Sequence, residues 1–467
     1  MGEKRMGEKQ AIYDATTLGK PKMLILGLQH MFAMFGATIL VPILVNSYFG
    51  GEGLSVQVTL FFAGLGTLLF HVFSKFKVPA FLGSSFAFLG GFATVAELNT
   101  GKFANMTYGE KLPYACGGIV VAGLLYLVLG VIIKVVGVKK VMRFLPPVVT
   151  GPIIICIGLS LAPSAVSNAS MNWFLAFVAL AVVIAFNIWG KGMWKIIPIL
   201  MGVVISYVVA VVMQLIGFTN ADGSAILNFE PIAQASWVGL PPFLIAKFDI
   251  TAILVMAPIA LATMMEHVGD ISAISATTGN NFIEEPGLHR TLFGDGLATA
   301  MAGLFGGPAN TTYGENTGVL ELSKVYDPKV VRIAACYAIV VSFIPKIADV
   351  IGTMPTAIIG GISFVLYGMI SAIGVRNVVE NKVDFTKSRN LIVAAVILVS
   401  GLGFSDGITF VVAGTSITLT SLAIAALLGI ILNAVLPGND YNFGVNHKGD
   451  INRGVSFNNH DEEEKRA

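Results

Sequence analysis

The chain has 467 residues, of which 55% are hydrophobic and only 12% charged, against about 25% charged in a soluble domain. Its mean hydropathy of +0.80 excludes the soluble classes and leaves a polytopic membrane protein. The net charge of +2 decides little, because the placement of Lys and Arg matters more than their sum.

The first twenty residues, opening Met-Gly-Glu-Lys-Arg, are polar and mixed in charge. They lack the apolar stretch and small-residue cleavage site of a signal peptide, so 1–20 is expected to be a cytosolic tail. A spanning helix needs roughly 20 mostly apolar residues. On that criterion seven segments are predicted near 22–46, 53–74, 78–97, 112–136, 144–166, 171–190 and 194–218. Seven more are predicted near 248–274, 288–306, 311–324, 329–351, 354–376, 388–404 and 414–436. Segments three and ten are rich in Gly, Ser, Thr and Pro and are the least helical; nine and thirteen are short. The tail from Pro437, ending Asp-Glu-Glu-Glu-Lys-Arg-Ala, is polar and expected to be disordered. Cys116, Cys156 and Cys336 lack CxxC or His spacing and read as small buried hydrophobes, with no disulfide framework or metal site.

With both termini in the cytoplasm, all but four of the 29 basic residues fall on the inner side; Lys102, Lys111, Lys247 and Lys346 fall outside. This bias supports an even number of spans. The halves also echo each other. Gln29-His30 corresponds to Glu266-His267, and Pro79 to Phe86 corresponds to Pro308 to Glu315; Pro146…Gly151 has the spacing of Pro355…Gly360. That shared order, in halves of seven spans, predicts an inverted repeat with its site at the midplane between interrupted segments.

Two acids stand where a membrane segment should carry no charge. Glu266 lies in segment eight and Glu315 among Gly, Pro, Asn and Thr in segment ten. An ionisable group at that depth costs roughly 3 kcal/mol or more unless it meets a polar cavity or a partner. Asp270, four residues after Glu266, shares its helix face, whereas His267 points about 100° away. Either Glu266 and Asp270 face a cavity or they bind neighbouring helices; His30 and His267 fit hydrogen bonds between helices. Glu315 follows Tyr313-Gly314 and precedes Asn316. Gly314 would let a ligand approach a half-helix with free N–H groups, the alternative being a loop Glu paired with Lys324. Ser84, Ser85 and Phe86 at the symmetric position offer exposed backbone and a ring for stacking. Carboxyl groups, exposed backbone and a phenyl ring suit a neutral, planar, amide-like heterocycle. An anion would want Arg or Lys there, yet every basic residue can be placed at a membrane face; a metal ion would want more carboxylates or a His cluster.

Residues 29–42 (Gln-His-Met-Phe-Ala-Met-Phe-Gly-Ala-Thr-Ile-Leu-Val-Pro), 82–88 (Leu-Gly-Ser-Ser-Phe-Ala-Phe), 266–270 (Glu-His-Val-Gly-Asp), 285–290 (Glu-Pro-Gly-Leu-His-Arg) and 310–319 (Asn-Thr-Thr-Tyr-Gly-Glu-Asn-Thr-Gly-Val) closely resemble bacterial uracil permeases. These belong to the nucleobase–ascorbate (nucleobase–cation symport 2) transporter family, and the resemblance runs from about residue 20 to 436. It implies an all-α polytopic membrane protein of fourteen transmembrane segments in two inverted seven-segment repeats, with short antiparallel strands in segments three and ten. It implies a core domain (21–143 and 248–352), a gate domain (144–247 and 353–436) and cytosolic tails (1–20 and 437–467). It further implies import of uracil by proton symport through the bacterial cytoplasmic membrane, both termini cytoplasmic. The expected partners are uracil, membrane lipid and a second copy in a homodimer formed largely through the gate domains, with no nucleic acid. No cofactor is expected beyond the co-transported proton, and no metal.

By matching motif, Glu266 and Glu315 would bind the pyrimidine, with backbone at Phe86 and Gly314, while Tyr313 and Tyr367 would line the site. Glu266, Asp270 and Glu315 would carry the proton, supported by Gln29, His30, Ser84, Ser85, His267 and Asn316. Some uracil permeases have His where this chain has Asp270, which leaves the order of protonation open. Related xanthine and urate carriers usually have Gln where Glu315 stands. Rival readings are a purine or dual-specificity carrier, an anion carrier of the same architecture, and an intramembrane enzyme; no paired nucleophile–base motif supports the last.

Overall fold

The computed structural model describes residues 11–219, 225–412, 415–439 and 441. The expectations for residues 1–10 and 442–467 lie outside the described residues. In chain order the longer helices of the first half are α1 (Lys20–Tyr48), α2 (Val56–Phe73), α3 (Leu89–Ala96), α4 (Tyr108–Val136), α5 (Pro147–Leu159), α6 (Ala162–Ser170), α7 (Trp173–Trp189) and α8 (Pro198–Leu215). Those of the second half are α9 (Ile250–Met256), α10 (Ala260–Thr278), α11 (Leu288–Leu304), α12 (Gly314–Ser323), α13 (Pro328–Ser342), α14 (Pro345–Gly352), α15 (Thr356–Glu380), α16 (Ser388–Gly403) and α17 (Ser421–Val435). Strands β1 (Leu82–Ser84) and β2 (Asn310–Thr312) form one two-stranded sheet; β3 (Ile408–Val412) and β4 (Thr415–Leu419) form another.

Local chemistry explains many of the boundaries. Thr107 and Glu110 form a capping box at α4, and Asn172, Asp249 and Asp327 accept from first-turn N–H groups of α7, α9 and α13. Proline opens α5, α8, α13 and α14, where its missing N–H costs nothing. Interior prolines interrupt other spans. Pro258 sits in a 3₁₀ turn (Ala257–Ile259) between α9 and α10, and Pro163 follows the break between α5 and α6.

Among the described residues, seven helical runs are long and apolar enough to cross a membrane, or eight if a pair bent by 83° counts as one. That pair is α13 and α14, where one continuous segment at 329–351 was expected; Pro345 cannot continue α13 and turns the chain. Segments three and ten are a strand followed by a short helix, and α7, α16 and α17 are shorter apolar helices. The hairpin of β3 and β4 corrects the expectation of a helix beginning at 414, since α17 starts only at Ser421. Thr, Ser and Ile alternate through Thr415–Leu419, a composition that favours extended backbone over helix. Cys116 and Cys156 are buried as expected, but Cys336 is exposed, because it lies on the outward face of α13.

Residues 11–18, expected to be tail, are folded against the helix ends. Ile12 forms a parallel bridge with Val325, and Asp14 caps a 3₁₀ turn (Ala15–Leu18). Hydrogen bonds from the Thr16 side chain and N–H, with Lys329 alongside, hold the Asp14 carboxyl down at about 2. Its contribution is therefore in place above the ordinary carboxylate range and is lost only as pH falls toward that value.

The helices associate through small residues. α4 crosses α11 where a methyl group on Gly123 would lie 2.5 Å from the Gly296 carbonyl oxygen and 2.6 Å from Ala300 N. α5 crosses α15 in the same way, where a methyl group on Gly374 would lie 2.6 Å from the Gly151 carbonyl oxygen. Lipid tails are as apolar as Leu, so close backbone approach replaces hydrophobic burial as the association force. α1, α2, α4, α11 and α13 thus pack among themselves, and α5, α6, α7, α15, α16 and α17 among themselves; α10 touches both groups.

Gly123→Val is expected to destabilise the protein by about 1–3 kcal/mol by forcing α4 from α11. Gly90→Ala, where nothing lies within 4 Å of the added carbon, should leave stability unchanged. Thermal melting of the detergent-purified protein checks both.

Candidate functional site

β1 and β2 are antiparallel, with Leu82 opposite Thr312, Gly83 opposite Thr311 and Ser84 opposite Asn310. The pairing extends outward through Ser85 N–H to Ala309 O (2.8 Å) and Tyr313 N–H to Phe81 O (3.0 Å). Hydroxyls from flanking helices complete it symmetrically. Thr67 of α2 accepts from Leu82 N–H at 2.9 Å, and Thr299 of α11 accepts from Asn310 N–H at 3.2 Å. Each strand then runs into a helical start: Ser85 leads into a 3₁₀ turn at Phe86–Phe88, and Tyr313 leads into α12. Neither start has a side-chain cap, so first-turn N–H groups remain available to a ligand.

A cavity of ≈ 390 Å³ lies against these starts, within the range of about 300–1,000 Å³ usual for small-molecule sites. Glu266, Asp270, Glu315, Phe86, Tyr313 and Gly314 all line it. The structure therefore brings together three carboxyls, a phenyl ring and the backbone at Gly314. Asp270 is buried and accepts a 2.6 Å hydrogen bond from the Thr312 hydroxyl. Glu266 lies beside the side chain of Thr311 in β2. Gly318, one turn after Gly314, has nothing within 4 Å of an added carbon and keeps the cavity open.

The Tyr313 hydroxyl turns away to the Ser84 carbonyl (2.9 Å) and stands 3.4 Å from Thr38 Oγ1, so Tyr313 offers the cavity its ring. The other sequence-predicted residues surround the cavity without lining it. Ser84 Oγ donates to Thr38 O at 2.9 Å, and Ser85 is buried beneath the crossing. Asn316 donates to the His30 carbonyl at 3.0 Å and sits 3.1 Å from His30 Nδ1, tying α12 to α1. Gln29, beside it, is half-buried. Tyr367 stands behind Phe86, edge to face at 5.9 Å, and supports that ring rather than touching the cavity.

His267 turns away from Glu266, as expected, and its Nδ1 lies 2.8 Å from Asp295 Oδ2 with both side chains fully buried. Sequence reading missed Asp295. The signal was present, an acid between Gly294 and Gly296 inside the spanning segment predicted near 288–306. Lys195 and Arg376 also line the cavity, so two of the basic residues assigned to the cytoplasmic face reach it. The cavity runs far enough toward the ends of α8 and α15 to reach them. Glu315 is not a loop residue paired with Lys324; it lies in the first turn of α12 and Lys324 caps the opposite end. No group of three or more His, Cys, Asp or Glu suited to a metal ion occurs among the described residues.

A carboxyl-lined, partly apolar cavity at two broken segments is transport architecture, and the comparisons with known proteins agree. Residues 21–410 match a family model described as "Permease family". The chain belongs to this permease family. It is 39% identical over 442 residues to the uracil permease of Bacillus caldolyticus, covering 91% of this chain and 94% of that one. It is 35% identical over 421 residues to the uracil permease of Escherichia coli (strain K12), covering 88% and 90%. In fold it resembles the transmembrane domain of the cyanobacterial bicarbonate transporter BicA, with TM-score 0.58 at 14% identity over 91% of this chain and 99% of that one. SLC26A9 matches with TM-score 0.63 at 10% identity over 90% of this chain and 66% of that one. The permease is accordingly a multi-pass membrane transporter and not an enzyme.

Thr312→Val should strand the Asp270 carboxyl and cost about 1–3 kcal/mol of stability, read as a lowered melting temperature in detergent.

Proposed function

We propose that this permease imports uracil by proton symport across the bacterial cytoplasmic membrane. The observation that carries the reading is the convergence of Glu266 and Glu315 on one cavity with the Phe86 ring and the uncapped start of α12. Uracil is a flat ring with two N–H donors and two carbonyl acceptors. Carboxylates accept from its N–H groups, first-turn backbone N–H groups donate to its carbonyls, and the Phe86 ring stacks or edges on its face. The relatives' identity as uracil permeases points to the same substrate.

Coupling follows from the number of carboxyls. Three acids in one cavity do not all ionise readily, and a proton shared by Glu266, Asp270 and Glu315 removes like-charge repulsion before the ligand settles. Loss of that charge lets the loaded form cross between states that the charged form crosses poorly. The rocking bodies are a core of segments one to four and eight to eleven, and a gate of five to seven and twelve to fourteen. The two self-packing helix groups and the matched strand-and-helix units at 82–96 and 310–323 support this inverted, fourteen-segment plan. Lys195 and Arg376 at the rim of the cavity stand on the side that the charge bias assigns to the cytoplasm. A cavity that reaches these residues supports an inward-open form, in a protein with both termini inside and a homodimer through the gate.

Uptake of labelled uracil into proteoliposomes under imposed pH and Na⁺ gradients tests substrate and coupling together. Accumulation driven by the pH gradient alone is expected, and accumulation that follows Na⁺ instead would overturn proton symport. Glu266→Gln should abolish pH-driven accumulation. Glu315→Gln should weaken uracil binding roughly tenfold to a hundredfold, as for lost hydrogen bonds to a charged group. Competition by xanthine, hypoxanthine and thymine separates a uracil carrier from a purine or dual-specificity one.

A further inference from the structure

We infer that residues 11–18 form a strap that positions the two carboxyl-bearing helices, with Tyr13 and Ile12 as the positioning residues. This inference rests on the reading of Glu266 and Glu315 as the substrate groups. The strap touches the far ends of both their helices. Ile12 N–H donates to Lys324 O, and Tyr326 N–H donates to Ile12 O, each at 2.8 Å, which pairs the strap with the chain just beyond α12. The Tyr13 hydroxyl donates to Thr278 O, the last residue of α10, at 2.7 Å. The Tyr13 ring meets Tyr326 edge to face at 5.5 Å, so the same residue bridges the two ends. Ala15 N–H then donates to Asp327 Oδ2 at 2.8 Å, and Lys329 Nζ lies 3.1 Å from Asp14 Oδ1. From there the chain enters α1, whose His30 holds Asn316 of α12.

The leverage follows from helix length. α12 has ten residues, about 15 Å at 1.5 Å per residue. Glu315 is in its first turn and the strap is at its last. Along α10, Thr278 lies twelve residues after Glu266, about 18 Å away. Two short, stiff rods whose outer ends share one clamp keep the spacing of the acids at their inner ends. α12 depends on such a clamp more than an intact span would, because before its inner end the chain runs as a three-residue strand instead of further helix.

The test uses the full chain purified in detergent, with uracil affinity measured by calorimetry well below each variant's melting temperature. Tyr13→Phe keeps the ring and removes only the hydroxyl bond to Thr278. Ile12→Pro removes the N–H given to Lys324. Each is expected to weaken uracil binding roughly threefold to tenfold, as for one or two lost hydrogen bonds, although neither residue reaches the cavity. A purely structural strap would lower the melting temperature and leave the affinity of the folded protein at the wild-type value. Wild-type affinity in Tyr13→Phe would overturn the proposal even if Ile12→Pro failed to fold. Wild-type protein that bound no uracil would instead overturn the uracil reading, and the strap proposal with it.

Discussion

The backbone pairing between β1 and β2 is the constraint on which the site depends. A chain that abandons its helix inside a membrane exposes N–H and C=O groups that lipid cannot satisfy, at several kcal/mol each. Here two such breaks satisfy each other: three residue pairs, two flanking hydrogen bonds and the hydroxyls of Thr67 and Thr299 leave little polar backbone unpaired at the crossing. What remains open is confined to the helical starts after Ser85 and Tyr313. Those starts face the cavity, so the same geometry that makes the breaks tolerable makes the ligand-binding backbone available.

The crossing is also sterically exclusive. A methyl group on Gly83 would lie 2.4 Å from the Tyr313 ring, and one on Gly66 would lie 2.3 Å from the Asn310 amide. Tyr313 is held by ring packing on one side and by its hydroxyl bond to the Ser84 carbonyl on the other. It presents an aromatic wall to the cavity without offering a hydroxyl to the ligand. The carboxyls are set differently. Asp270 is tied to Thr312 of β2 by a 2.6 Å hydrogen bond, while Glu266 lines the cavity beside Thr311 of the same strand. One turn of helix thus separates an acid anchored to the broken segment from one available to a ligand.

Much of this is legible in the chain. An acid in an apolar run is costly wherever the run folds, so Glu266, Asp270 and Glu315 stand out by their residue type and neighbours alone. The Gly, Ser, Thr and Pro content of segments three and ten announces the breaks, and the spacing of Glu266, His267 and Asp270 sets which faces they share. Asp295 is less legible, because its partner His267 is distant in sequence and only the fold brings the two together. Tyr367 is assigned to the lining by motif, yet the fold places it behind Phe86, a contact between distant segments that no local pattern encodes. The strap is illegible for a similar reason. Ile12 to Asp14 carry no distinguishing pattern until Thr278, Lys324 and Lys329 are brought to them.

The sequence by itself determined the class of protein, the buried acids and the interruptions at segments three and ten, because each follows from transfer energy or local conformational preference, and its motifs pointed to the family. Only the tertiary structure decided which polar groups remain free. Whether Tyr313 gives its hydroxyl to a ligand or to Ser84, and whether Lys195 and Arg376 stand clear of the cavity or on its rim, depends on helix crossings set by glycine contacts between distant segments. Pairwise approach of that kind joins residues far apart in the chain, such as Gly123 with Gly296 and Gly151 with Gly374, and a one-dimensional pattern carries no record of it.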